Sequence, residues 1–328
     1  MAKILILGAG AIGTAFSFPC SDKNHSVSII GTHLENNFIN QINSKDKIHP
    51  ILQCVVPKNV RFLKFEKLRE EINNKVDLIV VAVSSKGIEW ASVELSRVLT
   101  DKIPILILTK GLTINNNKYE VLVHKMERLL KKNGIKETNI SAAGGPCLAK
   151  GLAINNNKYE VLAHKMERLL KKNGIKETNI SAAGGPCLAK GLANRVHTSV
   201  VFANSDIKIA NWIAQLVSTD YYHVFTSDDV IGVEICSAIK NIFSMILGAS
   251  QELCNTVISA QLKEKNYLNT AASLLQQSIY EMIIFTENQK GKKETVMGLA
   301  GIGDLYVSDK GGRNSKMGQY IGQGMTFK

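Results

Sequence analysis

Gly8-Ala9-Gly10-Ala11-Ile12-Gly13 stands at the very start of the chain, after the apolar run Lys3–Gly8 and at the opening of a helix-like stretch. No other feature restricts the fold as much. A glycine at the first position permits a tight turn out of a strand, the second lets a diphosphate approach the backbone, and the third lets helix and strand pack closely. The helix N-terminus that follows presents N–H groups and a positive dipole end to phosphate oxygens. As a bare string the motif is weak; its strand–turn–helix setting is what predicts a dinucleotide-binding unit. The second strand ends Ile29-Ile30-Gly31-Thr32-His33 with no acid at its tip for ribose hydroxyls. Glu35 comes late and no arginine is at hand for a 2′-phosphate, so NAD and NADP both stay open.

Further apolar runs occur at Ser26–Ile30, Asp77–Val83 and Pro104–Thr109, separated by helix-like stretches at Lys64–Asn73, Ile88–Leu99 and Tyr119–Lys132. Short strands that are apolar throughout belong to a parallel sheet covered on both faces. Their alternation with helices implies a doubly wound α/β sheet with right-handed crossovers. Asn179–Ala183, Thr198–Ala203 and Tyr222–Thr226 read as further strands, with a helix over Asp206–Leu216. Beyond Asp228 the strand signal ends, and Val230–Leu247 and Tyr267–Thr286 are apolar at helical period. A chain of 328 residues is expected to form two domains. The boundary falls between a Rossmann-type domain over residues 1–227 and an all-helical substrate domain over 228–328.

Residues 111–150 recur at 151–190 with 38 identities in 40, the exceptions being Thr113 against Ala153 and Val123 against Ala163. Solenoid repeats need at least three diverged copies to bury a core, so two near-identical units indicate a tandem duplication. Lys110 runs directly into the first copy and the strand Thr198–Ala203 follows directly from the second. The expectation is that the turn Gly185-Pro186-Cys187 is the native one, with the surplus helix and strand inserted near the active-site face.

The duplication also explains part of the charge. Each copy carries seven basic and three acidic residues, so the net charge of +12 becomes +8 without one copy. The basic residues are interleaved with Leu and Met rather than with stacking aromatics, which fits a solvated helix face and excludes a nucleic-acid partner. No uninterrupted apolar run reaches the roughly 18 residues of a membrane span. The N-terminus leads straight into a strand, without a signal-peptide pattern, and so implies a cytoplasmic protein. The six cysteines show neither zinc nor disulfide spacing, which points to reduced thiols and no metal.

Two polar clusters carry chemistry. In Glu234-Ile235-Cys236-Ser237-Ala238-Ile239-Lys240-Asn241, the lysine sits in an otherwise apolar helix, where an ammonium is costly unless partnered. Lys240 is therefore a candidate proton donor, the alternative being a lysine that snorkels from the helix edge. In Gly301-Ile302-Gly303-Asp304-Leu305, glycines flank a carboxylate, and Gly311-Gly312-Arg313-Asn314 follows with donors suited to a phosphate.

With Thr109-Lys110-Gly111 and Gly-Gly-Pro-Cys-Leu-Ala-Lys between them, these motifs resemble, in family order and over essentially the whole chain, the NAD(P)-dependent sn-glycerol-3-phosphate dehydrogenases. The resemblance implies reversible reduction of dihydroxyacetone phosphate to sn-glycerol 3-phosphate, with NAD or NADP as cofactor, feeding phospholipid synthesis. It makes Lys240 the acid/base at the C2 oxygen and adds Lys110 and Asp304 to the catalytic set. Gly8, Gly10, Ala11, Ile12, Gly13, Ala189 and Arg313 would contact cofactor. Lys110, Gly185, Cys187, Lys240, Asn241, Asp304, Ser308, Gly312, Arg313 and Asn314 would contact substrate, Arg313 and Asn314 through its phosphate. A homodimer is compatible with it.

Two other readings compete: a duplicated, truncated homologue that only binds NAD(P), and a ketopantoate-reductase-like enzyme. The string Gly-Ala-Gly-Ala-Ile-Gly suggests the latter and Gly-Gly-Arg-Asn speaks against it. Two departures from the family stand out besides the duplication. Its Ser-Gly-Pro-Ser is Gly-Gly-Pro-Cys here, a weaker donor at the last position. The family also continues past the equivalent of Lys328 through helices with a cofactor-contacting acid, and without them apolar helix faces are expected to stay uncovered.

Overall fold

A computed structural model describes residues 1–44, 47–84, 87–99, 103–109, 152–155, 158–175, 179–257 and 267–325. Lys110 and the first repeat copy lie outside the described residues. The chain begins with β1 (Lys3–Leu7), α1 (Ala11–Asp22), β2 (Ser26–Ile30), α2 (Asn36–Ser44), the small antiparallel pair β3 (Ile48–His49) and β4 (Cys54–Val55), and β5 (Val60–Leu63). It continues through α3 (Leu68–Asn73), β6 (Leu78–Val81), α4 (Ile88–Ser96) and β7 (Ile105–Ile107). The second repeat copy supplies the hairpin β8 (Leu152–Asn155) and β9 (Lys158–Val161), then α5 (Leu162–Lys172) and β10 (Ile180–Gly184). After α6 (Ala189–Ala193) come β11 (Thr198–Ala203), α7 (Ile207–Val217) and β12 (Tyr222–Ser227). The rest is helical: α8 (Val230–Val257), α9 (Tyr267–Asn288), α10 (Lys293–Met297), a π-helical turn over Leu299–Gly303, α11 (Asp304–Gly311) and α12 (Arg313–Gly322).

Eight strands form one sheet in the order β12-β11-β10-β7-β6-β1-β2-β5. Period-two alternation sends Ile4 and Ile6 of β1 into one face's core and Leu5 and Leu7 into the other's, which is why Ile4–Leu7 carries no polar residue. From β1 the chain builds outward through β2 to β5, then returns to β6 on the other side of β1 and builds the opposite way. The gap beyond the carboxyl ends of β1 and β6 is the topological switch point, where open α/β sheets bind ligands.

The pattern of crossovers departs from expectation at one place. β10 and β11 pair antiparallel, Ala182 opposite Ala203, whereas every other neighbouring pair in the sheet is parallel. The connection between them holds only the five-residue α6, too short a helix to carry the chain back to the sheet's other end.

The strand of the second copy occupies the sheet, with Ile180–Ala182 in register with Ile105–Ile107 of β7. The counterpart in the second copy of the helix read over Tyr119–Lys132 starts only at Leu162, because Lys158–Val161 is engaged in backbone pairing with β8. Three contacts then anchor α5. The Glu234 carboxylate of α8 accepts the Ala163 N–H at 2.9 Å near the helix start, a stabilising placement for an anion. Lys165, fully buried, pairs with Glu89 of α4 at 2.5 Å. Met166 and Leu170 join the main core.

Ala163 is 1% exposed. Deleting 111–150 keeps it, whereas deleting 151–190 puts Val123 in its place; the two 288-residue products otherwise differ only by Ala153 against Thr113. Two added methyl groups at so tight a site should make the second product less stable by about 1–3 kcal/mol, read from paired denaturant melts.

In the helical part, α8 packs against α9, α11 and α12. Its apolar stretch Val230–Leu253 is long enough to cross a bilayer, yet 67% of that window is buried within the protein, as in a core helix. Asp229 ties the region together: Oδ1 accepts the Gly232 N–H at 2.8 Å, and Oδ2 accepts the Lys292 N–H at 2.8 Å and the Thr295 hydroxyl at 2.6 Å. Leu253, Leu268, Tyr280 and Ile284 leave apolar surface exposed on α8 and α9.

Candidate active site

The glycine turn is built as its sequence requires. Gly8 has φ +113°, and a Cβ there would lie 2.8 Å from the Ala82 carbonyl. A Cβ on Gly13 would come 2.4 Å from the Gly8 oxygen, so α1 approaches β1 at a distance only glycine allows. Gly10 differs, since nothing lies within 4 Å of its Cβ position. The N-terminus of α1 has no side-chain cap. Open space above bare helix N–H groups is what a dinucleotide diphosphate needs, so the residues present fit NAD(P).

Beside this turn lies a cavity of about 390 Å³. Its walls come from Ile12 and Phe16 of α1, the carboxyl ends of β6, β7 and β10 (Val83, Leu108, Thr109, Gly184), the α6 segment (Cys187, Ala189) and the helical part (Lys240, Asp304, Ser308, Gly312). Residues separated by more than 290 positions thus meet at the switch point. Thr109 is held by a hydrogen bond from its hydroxyl to the Val83 carbonyl at 2.7 Å, fixing the chain just before Lys110.

Lys240 and Asp304 form an ion pair, the former 7% and the latter 3% exposed. This excludes the snorkelling alternative for Lys240. The turn Leu299–Gly303 that precedes Asp304 closes with a hydrogen bond from the Gly303 N–H to the Gly298 carbonyl, a five-residue step. Such π turns recur at functional sites.

Of the residues expected at the site, Ile12, Cys187, Ala189, Lys240, Asp304, Ser308 and Gly312 line the cavity. Gly8, Gly10, Ala11 and Gly13 form the turn at its edge and Gly185 adjoins the wall without lining it. Arg313 is exposed at the start of α12, directly after Gly312. Asn314 donates to Asn241 at 2.7 Å, linking α12 to α8 one residue beyond Lys240. Phe16, Val83, Leu108 and Tyr222 complete an apolar wall that no motif announced. The only sequence signal for Phe16 was its place one turn into the helix after the glycines. Burial raises the Tyr222 hydroxyl well above its ordinary range and pushes the Cys236 thiol, on the α8 turn before Lys240, up to about 12. Both stay protonated at neutral pH.

Known proteins place this arrangement. The family model for the NAD-dependent glycerol-3-phosphate dehydrogenase N-terminus matches residues 3–170 and that for the C-terminus matches 229–328. An NADP(+)-dependent glycerol-3-phosphate dehydrogenase of Archaeoglobus fulgidus is 28% identical over 324 residues, covering 99% of this chain and 81% of the relative. A glycerol-3-phosphate dehydrogenase [NAD(P)+] of Francisella tularensis subsp. novicida is 26% identical, with 99% and 80% covered. Among solved structures, the glycerol-3-phosphate dehydrogenase of Coxiella burnetii superposes with a TM-score of 0.69 at 23% identity, covering 99% of this chain and 81% of its own, which shows a shared fold. Sequence and fold agree on an NAD(P)-dependent oxidoreductase, and the chain belongs to the NAD-dependent glycerol-3-phosphate dehydrogenase family.

Proposed function

We propose that this cleft reduces dihydroxyacetone phosphate to sn-glycerol 3-phosphate, reversibly, with Lys240 as the proton donor. The observation that carries the reading is the buried Lys240–Asp304 pair opening onto the cavity beside the glycine turn. When bound, the reduced nicotinamide supplies a hydride to the C2 carbonyl carbon. Negative charge then grows on the C2 oxygen, and the Lys240 ammonium stabilises it and delivers a proton there. An ammonium has three donors, so its pair with Asp304 is compatible with a hydrogen bond to substrate. Asp304 holds the ammonium in place and keeps it charged. The apolar wall of Phe16, Val83 and Leu108 limits water around the reacting carbon.

Arg313, Asn314 and the N-terminus of α12 are assigned to the phosphate, with Lys110 and Cys187 as further substrate contacts. Binding energy from the phosphate fixes the geometry of the distant carbonyl. Loss of one charge-assisted contact costs about 1.5–3 kcal/mol, so Arg313→Ala should raise KM and lower kcat together, reducing kcat/KM about 10- to 100-fold. A cytoplasmic role in supplying phospholipid precursors belongs to the same reading. The direct test is the loss of NADH or NADPH absorbance on adding dihydroxyacetone phosphate to the full chain. Cofactor binding without turnover would overturn the assignment.

A further inference from the structure

Glu35 lies five residues past the end of β2, and the backbone folds it back: its N–H donates to the Thr32 carbonyl at 2.9 Å, and its own carbonyl accepts the Ile39 N–H of α2 at 2.8 Å. The carboxylate therefore returns to the glycine turn. Its Oε2 accepts the N–H of Ala9 at 3.3 Å and that of Thr32 at 2.7 Å, so one oxygen bridges the turn after β1 and the end of β2. In this fold the adenosine ribose is read at that junction. A carboxylate has acceptor capacity for about four hydrogen bonds, which leaves Oε1 able to accept from hydroxyls.

The charge around Glu35 points the same way. Residues 24–44 contain no lysine or arginine. Lys47 directs its ammonium to the Lys58 and Val60 carbonyls at 2.9 Å each. Arg61 is engaged with Glu71 and Ser28 at 2.7 and 2.6 Å. His49, buried beside Glu35, uses Nδ1 to accept the Ile51 and Leu52 N–H groups, and burial lowers its affinity for a proton. It adds no positive charge at neutral pH. His33 is exposed and packs edge-on against Trp90.

We propose that Glu35 accepts the hydroxyl hydrogens of the adenosine ribose and makes this enzyme prefer NAD(H) over NADP(H). A vicinal diol offers donors to the carboxylate, whereas a 2′-phosphate would set a second anion against it, and neither Lys47 nor Arg61 directs its charge there. The inference rests on the family reading only in that the cofactor is a nicotinamide dinucleotide.

The test is direct titration of the full chain with NADH and with NADPH, followed by nucleotide fluorescence, together with Glu35→Gln. The amide oxygen of Gln can still accept the Ala9 and Thr32 N–H groups, so the variant removes charge while leaving the turn its anchor. Wild type should bind NADH at least about 10-fold more tightly than NADPH, and Glu35→Gln should bring the two within about threefold, chiefly by tighter NADPH binding. Equal or tighter binding of NADPH by wild type would overturn the proposal, as would an unchanged ratio in Glu35→Gln. Preferential NADH binding without turnover of dihydroxyacetone phosphate would instead overturn the functional reading and leave Glu35 its role.

Discussion

Lys240→Ala lowers kcat by about 10²- to 10⁴-fold while leaving dinucleotide binding within a few-fold of wild type, the loss expected when a general acid is removed. The dinucleotide turn and Lys240 stand on different elements, β1–α1 and α8, so one can fail without the other. Stopped-flow or steady-state rates with dihydroxyacetone phosphate, set beside NADH titrations, separate the two effects. A variant that keeps its rate within a few-fold would show that some other group protonates the C2 oxygen. Because Asp304 is left without the ammonium it is paired with, the same substitution should also lower stability, and Asp304→Asn made in the Lys240→Ala background should recover part of it.

The second large effect is expected far from the chemistry. Glu89 and Lys165 join α4 to the second repeat copy through a pair in which the lysine is wholly buried. Breaking a buried pair by removing one partner costs up to about 3–5 kcal/mol, so Glu89→Ala should lower the melting midpoint clearly. Lys165→Ala should cost somewhat less, since Glu89 retains 19% side-chain exposure and can regain water. The same change at the equivalent Lys125 leaves the Glu89–Lys165 pair intact. Melts of Lys165→Ala and Lys125→Ala therefore ask which copy holds the slot between β7 and β11. Equal destabilisation by both, or by neither, would contradict the assignment of the second copy to it.

Much of this was legible in the residues because the physics involved is local. Ile4–Leu7 is apolar at every position because β1 is covered on both faces, and Gly8 and Gly13 answer to distances that only glycine satisfies. Lys240 stood out because a charge in an apolar helix demands a partner; Asp304, 64 residues later, is that partner, which only packing could show. Glu35 was visible only as a late candidate, since the usual place to look is the strand tip, and a backbone turn rather than side-chain spacing carries it back to Ala9. The reversal between β10 and β11 was hidden because both strands are short, and direction leaves no mark on such runs. The edge strand β5, Val60–Leu63, was missed because Arg61 interrupts its apolar pattern.

The π turn over Leu299–Gly303 sets a phase. An α-helix turns by about 100° per residue, so closing that turn with a five-residue step instead of four offsets everything wound after it by one residue's rotation. Asp304 and Ser308, both on α11, face the cavity in this offset register. Were the Gly303 N–H to bond one residue later, both side chains would swing round the helix axis and the carboxylate would leave Lys240. The alignment of Asp304 with Lys240 is thus a property of angular register, held by the main-chain hydrogen bonds from the Gly303 and Asp304 N–H groups to the Gly298 and Leu299 carbonyls.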